Sequence, residues 1–190
     1  MLFRSVAKLG DGRIVALGRA GWPAQSSKYE QHQRFAGWVR RHHDQFDELL
    51  APGERAVGEW LLQAHGTRYA LFHEPFVLFD IIRQPEQVVI GAPMDRLLHH
   101  VVEERAKRCG LTMPTVLRRG DYGVSIKLAE FLLGENGWHG AVDQAEGAVW
   151  RVEREGRVDF LAKYVRPTKV DGKFLPEVSG HPIVWNWRVE

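Results

Sequence analysis

The stretch EGAVWRVEREGRVDFLAKYVRP, residues 146–167, constrains the fold more than any other part of the chain. Ala148, Trp150 and Val152 alternate with Val149, Arg151 and Glu153, and Val158, Phe160 and Ala162 alternate with Asp159, Leu161 and Lys163. Glu155-Gly156 supplies turn chemistry between the two runs, so the stretch reads as a β-hairpin. Antiparallel pairing brings Glu146 beside the Lys163 to Arg166 end of the second strand, and an acid and two cations then share one end of a sheet. On a solvated face such a pair contributes at most about 1 kcal/mol. It is either an ordinary surface pair or part of a charged site.

The rest of the chain supplies a frame for that hairpin. GRIVALGRAGW alternates like a strand that follows the Asp11-Gly12 turn and ends at Gly18 or Arg19, so the chain opens on a hairpin. Across residues 26–50, Phe35, Trp38, Val39, His42, Phe46 and Leu49 recur at three- and four-residue steps, which predicts one amphipathic helix ending before Pro52-Gly53. RAVGEWLLQ (55–63) and FVLFDII (76–82) read as core strands joined by the loop AHGTRYALFHEP, and VVIGAP (88–93) as a further strand. Leu97, Leu98, Val101, Val102 and Ala106 share one face of a helix expected from Pro93 to Cys109, and a shorter helix is expected from Ser125 to Leu133, each closed by a glycine. The pattern defines an α+β domain, an antiparallel β core with helices packed on it. With 190 residues and no linker or repeat, residues 1–190 are expected to form one domain.

Composition narrows the partners and the compartment. The net charge is +2, so any nucleic-acid surface is a local groove and not a global field. Cys109 is the only cysteine, which excludes a disulfide framework and fits a cytoplasmic protein. No apolar run approaches the roughly 18 to 20 residues that span a bilayer, so no membrane partner is expected. The nine histidines include no His-Glu-x-x-His spacing, and no phosphate-binding Gly-x-x-x-x-Gly-Lys-Ser/Thr loop is present. Trp185 and Trp187 are expected in the packing, with base stacking as the alternative.

Two carboxylates interrupt apolar strands. Glu59 lies in AVGEWLL and Asp80 in VLFDII, positions where a charge is costly unless it faces a cleft, a cation or a hydrogen-bond donor. Arg19 closes the early strand beside a glycine-rich turn, and Phe79 directly precedes Asp80.

Taken in order, GRAGW, GEWLLQAHGTRY, FVLFDI, EGAVWRV and FLAKYVRP resemble the successive motifs of the covalent nucleotidyltransferases, and within them the ATP-dependent RNA ligase family, over residues 12 to 167. The resemblance implies an ATP-grasp-like ligase adenylation domain with ATP and Mg2+ (or Mn2+) as cofactors. It implies that a lysine takes AMP from ATP, passes it to the 5′-phosphate of an RNA, and that a 3′-hydroxyl then displaces it to seal the strand. Residue by residue it gives Lys163 as the cation on the α-phosphate and Glu146 as the carboxylate that positions the metal, the two catalytic groups. Glu59 would hold the ribose hydroxyls, Phe79 would stack on adenine, and Arg19 would contact the ribose or phosphate region. On this view Glu146 and Lys163 meet because both face one phosphate, whereas Lys169, past the strand, is expected off that face.

The chain departs from the family pattern in two places. The second lysine of the last motif is replaced by Val165, with Arg166 beside it as a stand-in. The Lys-x-Asp-Gly nucleophile motif is not found ahead of Arg19; Lys8, one residue too far from Asp11-Gly12, is its nearest match. The resemblance therefore implies a ligase core lacking its first strands, with no separate C-terminal domain, and a separate chain could supply those strands. Inactivity as an isolated chain is one implication. The alternatives are a catalytically dead nucleotide- or RNA-binding module, or a DNA ligase or capping-type relative.

Overall fold

The computed structural model describes residues 3–83, 94–120, 122–134 and 138–187. Five strands form an antiparallel sheet: β1 (Phe3–Lys8), β2 (Ile14–Leu17), β3 (Glu54–Trp60), β4 (Phe76–Arg83) and β5 (Asp95–Arg96), in the order β2-β1-β3-β4-β5. The hairpin expected at residues 146–167 is present as β6 (Gly147–Arg154) and β7 (Arg157–Val165), paired from Gly147 with Val165 to Arg154 with Arg157. Its turn places Glu155 and Gly156 at φ 49° and 72°, a conformation easy only for the glycine. The strand expected at residues 88–93 lies outside the described residues.

One face of the sheet is covered by α1 (Glu30–Arg41) and α2 (His43–Leu49). Phe35, Trp38 and Phe46 from these helices interlock with Trp60 and Phe76 at ring-centroid separations of 5.1 to 5.9 Å, around which Val6, Ala56, Leu78 and Ile81 complete the core. The sequence predicted a single helix here. The helix instead breaks at His42, whose φ and ψ of −107° and 23° leave the helical region and whose Nδ1 pairs with the Trp38 carbonyl. The break lets Phe35 and Phe46 both reach the same buried cluster.

The helix expected from Pro93 begins later, as α3 (His99–Arg108), because Asp95 and Arg96 pair with β4 as β5 before the chain turns. The helix expected from Ser125 is α4 (Ile126–Leu133), capped by the Ser125 hydroxyl, which accepts from Leu128 N. α4 lies against the hairpin: Trp150 Nε1 donates to the Val124 carbonyl and Tyr164 Oη donates to Glu130. Trp185 and Trp187 are partly buried against the core, as the packing reading expected, with the Arg34 guanidinium 4.4 Å from the Trp185 ring.

A β-bulge gives the second face of the sheet its chemistry. Leu78 pairs with Gly58 and Asp80 with Val57, which leaves Phe79 as the extra residue. Strict alternation would put Leu78 and Asp80 on one face. The bulge instead lets Phe79 and Asp80 both serve the face away from α1: Phe79 meets Phe3 edge-on at 5.4 Å, and Asp80 meets an arginine of the hairpin. No helix among the described residues is long and apolar enough to cross a membrane.

Candidate functional site

The hairpin is bolted to that second face through Asp80, which is fully buried. Arg96 pairs with its Oδ2, and Arg151 Nη1 lies 3.2 Å from Oδ1. Arg151 Nε also donates to Glu153 at 2.7 Å, and the same Glu153 oxygen accepts the His99 backbone N–H at 2.7 Å, at the start of α3. Burial of Asp80 is thus answered by two guanidiniums, and that of Arg151 is held in turn by Glu153, which the α3 N-terminus binds. The role of Asp80 is to join β4, β5, α3 and the hairpin.

Because Arg151 points at the sheet, its face of the hairpin can be read from the register. Leu161 lies opposite Arg151, Lys163 opposite Val149 and Val165 opposite Gly147. Val149, Leu161 and Val165 are exposed by 62, 40 and 38%, and Lys163 is exposed as well. These side chains share the hairpin face that carries Arg151. On the outer face of the sheet Phe3 lies opposite Glu59, and both Glu59 and Phe79 are half-buried. Glu59 acts at a distance on its neighbours. Burial pulls the Arg4 guanidinium down to about 10 against the opposing charge of Glu59, and burial followed by the charges of Glu146 and Glu59 pushes the Tyr69 hydroxyl well up.

Glu146 heads the hairpin. The Arg166 N–H donates to the Glu146 carbonyl at 2.9 Å, continuing the hairpin ladder, while the Arg166 guanidinium reaches the Gly134 carbonyl at the end of α4. The cation on the Glu146 carboxylate is Lys169: its Nζ lies 2.6 Å from Glu146 Oε2 and 2.7 Å from Asp171 Oδ1. Burial works to lower the Lys169 pKa, but the hydrogen bonds to Asp171 and Glu146 outweigh it and the net direction is upward. The Asp171 carboxyl is held below the usual range, first by Lys169, with the charge of Lys163 adding to the effect. Lys169, Glu146 and Asp171 therefore form one charged cluster, with Lys163 near enough for its charge to act on Asp171. Gly66 packs directly on it; a Cβ there would meet Glu146 Oε1 at 2.9 Å.

The remaining sequence candidates lie elsewhere. Arg19 is exposed in the turn closed by the Gly21 N–H to Gly18 carbonyl bond. Lys8 is on the helical side, its Nζ 2.7 Å from Asp47 Oδ1 and donating to the Asp47 carbonyl. The sequence reading expected Lys169 off the face of Glu146, whereas the Asp171-Gly172 turn folds it back onto that carboxylate; it missed Asp171 and the Arg68–Asp143 pair, with Arg68 Nη2 donating to Asp143 Oδ1 at 2.9 Å.

A divalent ion, which the sequence resemblance implies, would take Glu146 as its protein ligand. In this arrangement the Lys169 ammonium already bridges Glu146 and Asp171, and no group of three or more His, Cys, Asp or Glu side chains is gathered among the described residues. The residues as placed do not fit a resident metal ion.

The antiparallel five-stranded sheet, its packed helices and the hairpin fit an α+β nucleotidyltransferase-like fold. The RNA ligase family profile matches residues 4–165, and the chain belongs to that family. A curated protein of Acinetobacter baylyi named cysteine protease StiP is 24% identical over 138 residues, covering 73% of this chain and 33% of that protein, so the chain spans about a third of its length. No solved structure matches the chain. The protease name finds no counterpart in Cys109, which is buried at the end of α3 with its thiol pKa pushed up first by burial, the opposite of an activated thiolate.

Proposed function

We propose that the outer face of the sheet and the hairpin face turned towards it enclose a cleft that binds ATP and serves RNA ligase chemistry, the joining of a 5′-phosphate to a 3′-hydroxyl through adenylylated intermediates. The observation that supports this reading is the hairpin register: Lys163 lies opposite Val149, on the strand face whose Arg151 pairs with Asp80 of the sheet. Adenine stacks on Phe79, Glu59 accepts from the ribose hydroxyls, and Lys163 offsets charge on the α-phosphate. Arg19, in its exposed turn, contributes from the rim, and Arg166 acts through the backbone bond that fixes Glu146. The cation beside Glu146 before the nucleotide arrives is Lys169. A divalent ion would enter with the phosphates.

Lys8 is not the nucleophile in this reading, since its amine is committed to Asp47 on the opposite side of the sheet. That same contact favours the second reading, a nucleotide- or RNA-binding module without covalent transfer. The test is incubation with α-labelled ATP and magnesium beside a calorimetric ATP titration. Saturable ATP binding weakened by Lys163→Ala supports the cleft, and no binding removes it. Stable labelling of the chain abolished by Lys8→Ala would reinstate Lys8 and sink the second reading.

A further inference from the structure

Lys169 lies in the turn that follows β7. Its N–H donates to the Arg166 carbonyl at 3.1 Å, the Arg166 N–H donates to the Glu146 carbonyl at 2.9 Å, and further on the Phe174 N–H donates to the His65 carbonyl at 2.7 Å. The segment is thus fastened on both sides of Lys169, and the turn at Gly172, with φ 70°, carries Asp171 back to the same place. Gly66 packs against both partners: a Cβ there would meet Glu146 Oε1 at 2.9 Å and Lys169 Cε at 3.4 Å. Lys169 is therefore sheltered and held, unlike a solvated lysine that pairs in passing.

The two oxygens on Lys169 Nζ come from different carboxylates, Glu146 Oε2 at 2.6 Å and Asp171 Oδ1 at 2.7 Å. Carboxylates gathered on one cation are the ligands a divalent ion takes, but here the cation is tethered to the chain. With Lys163, whose charge acts on Asp171, two ammonium groups meet two carboxylates. These four groups carry no net negative charge to draw in a divalent ion. An ion could take Glu146 only by displacing a sheltered ammonium from its partner, which is costly.

We propose that the Lys169 ammonium takes the place of the divalent ion at Glu146, so that the chain supplies its own cation where the resemblance puts a metal. Lys169 is a positioning residue: it holds the Glu146 carboxylate, and the ion that accompanies ATP stays on the phosphates and water. The statement about ATP rests on the cleft reading above, whereas the exclusion of an ion from Glu146 needs no nucleotide.

The test is Mn2+ binding to the nucleotide-free full chain, read from the electron paramagnetic resonance signal of the free ion, since Mn2+ takes the oxygen ligands that Mg2+ takes. Wild type and Glu146→Gln should bind Mn2+ alike. Lys169→Met removes the ammonium, keeps an apolar stem and leaves two carboxylates together, so it should gain one Mn2+ site. A roughly hundredfold excess of Mn2+ over the dissociation constant of that site should raise the melting temperature of Lys169→Met by about 5 °C. The gain should vanish in Lys169→Met/Glu146→Gln, and Lys169→Arg, which keeps a cation, should show none. A lysine that served stability alone would leave no metal site behind it. A Mn2+ site in wild type that is lost in Glu146→Gln overturns the proposal, and so does a folded Lys169→Met that gains none. Should Lys169→Met fail to fold, wild type against Glu146→Gln decides. Calorimetric ATP titration with magnesium separates the two readings. No ATP binding by a wild type without a Glu146-dependent Mn2+ site sinks the cleft and leaves the tethered cation standing, whereas ATP binding by a wild type whose Mn2+ site needs Glu146 sinks the tethered cation alone.

Discussion

Lys169 Nζ lies 2.6 Å from Glu146 Oε2, so the carboxylate that heads the hairpin is held by a lysine from the segment that follows it. Lys169 is 9% exposed and Glu146 25%, which makes this a sheltered pair and not a solvated one. Lys169→Met should lower stability by about 1 to 3 kcal/mol, because Glu146 is left without its cation. Asp171→Asn, at a site 82% exposed, should cost far less. The raised Lys169 pKa also fixes a pH signature: the stabilisation is complete below the unfolded value of 10.5 and drains as pH rises through the higher folded value. Urea melts from neutral to alkaline pH would show it, and equal melts for wild type and Lys169→Met would refute it.

Asp80 is the joint on which the cleft depends. Asp80→Ala strands Arg96 and Arg151 in a buried environment and should cost about 3 to 5 kcal/mol. The conservative Asp80→Asn keeps the shape and loses the charge, so it should fall between. Near-wild-type denaturation of Asp80→Ala would mean that the hairpin docks by other contacts.

How much of this was legible differs from element to element. The hairpin follows a period of two and the strands of Glu59 and Asp80 are short apolar runs bounded by polar or turn residues, so they lie where the pattern put them, although the bulge at Phe79 breaks the alternation of β4. The break at His42 was hidden, because Phe35, Trp38, Phe46 and Leu49 keep helical spacing across it while the backbone changes direction. The short strand at Asp95–Arg96 follows from pairing with β4, which no local pattern encodes. Asp80 advertised the need for a cation, but Arg96 and Arg151 are 16 and 71 residues away in sequence. Lys169 was hidden for a related reason: it reaches Glu146 only through a turn of the segment after the strand, and a lone lysine in such a segment has no periodicity to mark it.

Glu59 separates a nucleotide pocket from a merely structural ion pair. On the cleft face of β3, Glu59→Gln should leave the melting temperature nearly intact and reduce ATP affinity by roughly 1 to 3 kcal/mol through loss of charge-assisted hydrogen bonds. A structural role reverses the order, with the melting temperature falling and ATP affinity unchanged. Differential scanning fluorimetry and calorimetry on the one variant distinguish the two.

His32 and His65 give the protein a defined acid sensitivity. Burial, with the Arg4 guanidinium adding to it, holds both imidazoles down to about 4, against 6.5 in the unfolded chain. Between these values the unfolded state binds more protons than the folded one, so stability rises with pH across the window. It is fully present above about pH 6.5 and drains as pH falls towards 4. His32 Nδ1 lies 2.7 Å from Ser27 Oγ and His65 Nε2 3.5 Å from Gln31 Nε2, polar neighbours that suit neutral rings. The double variant His32→Gln/His65→Gln should be less stable than wild type at neutral pH and lose less on acidification, since carboxylate titration is common to both. Thermal melts of the pair from pH 7.5 to 4.5 measure the difference; parallel curves would show that the two rings protonate freely in the folded protein.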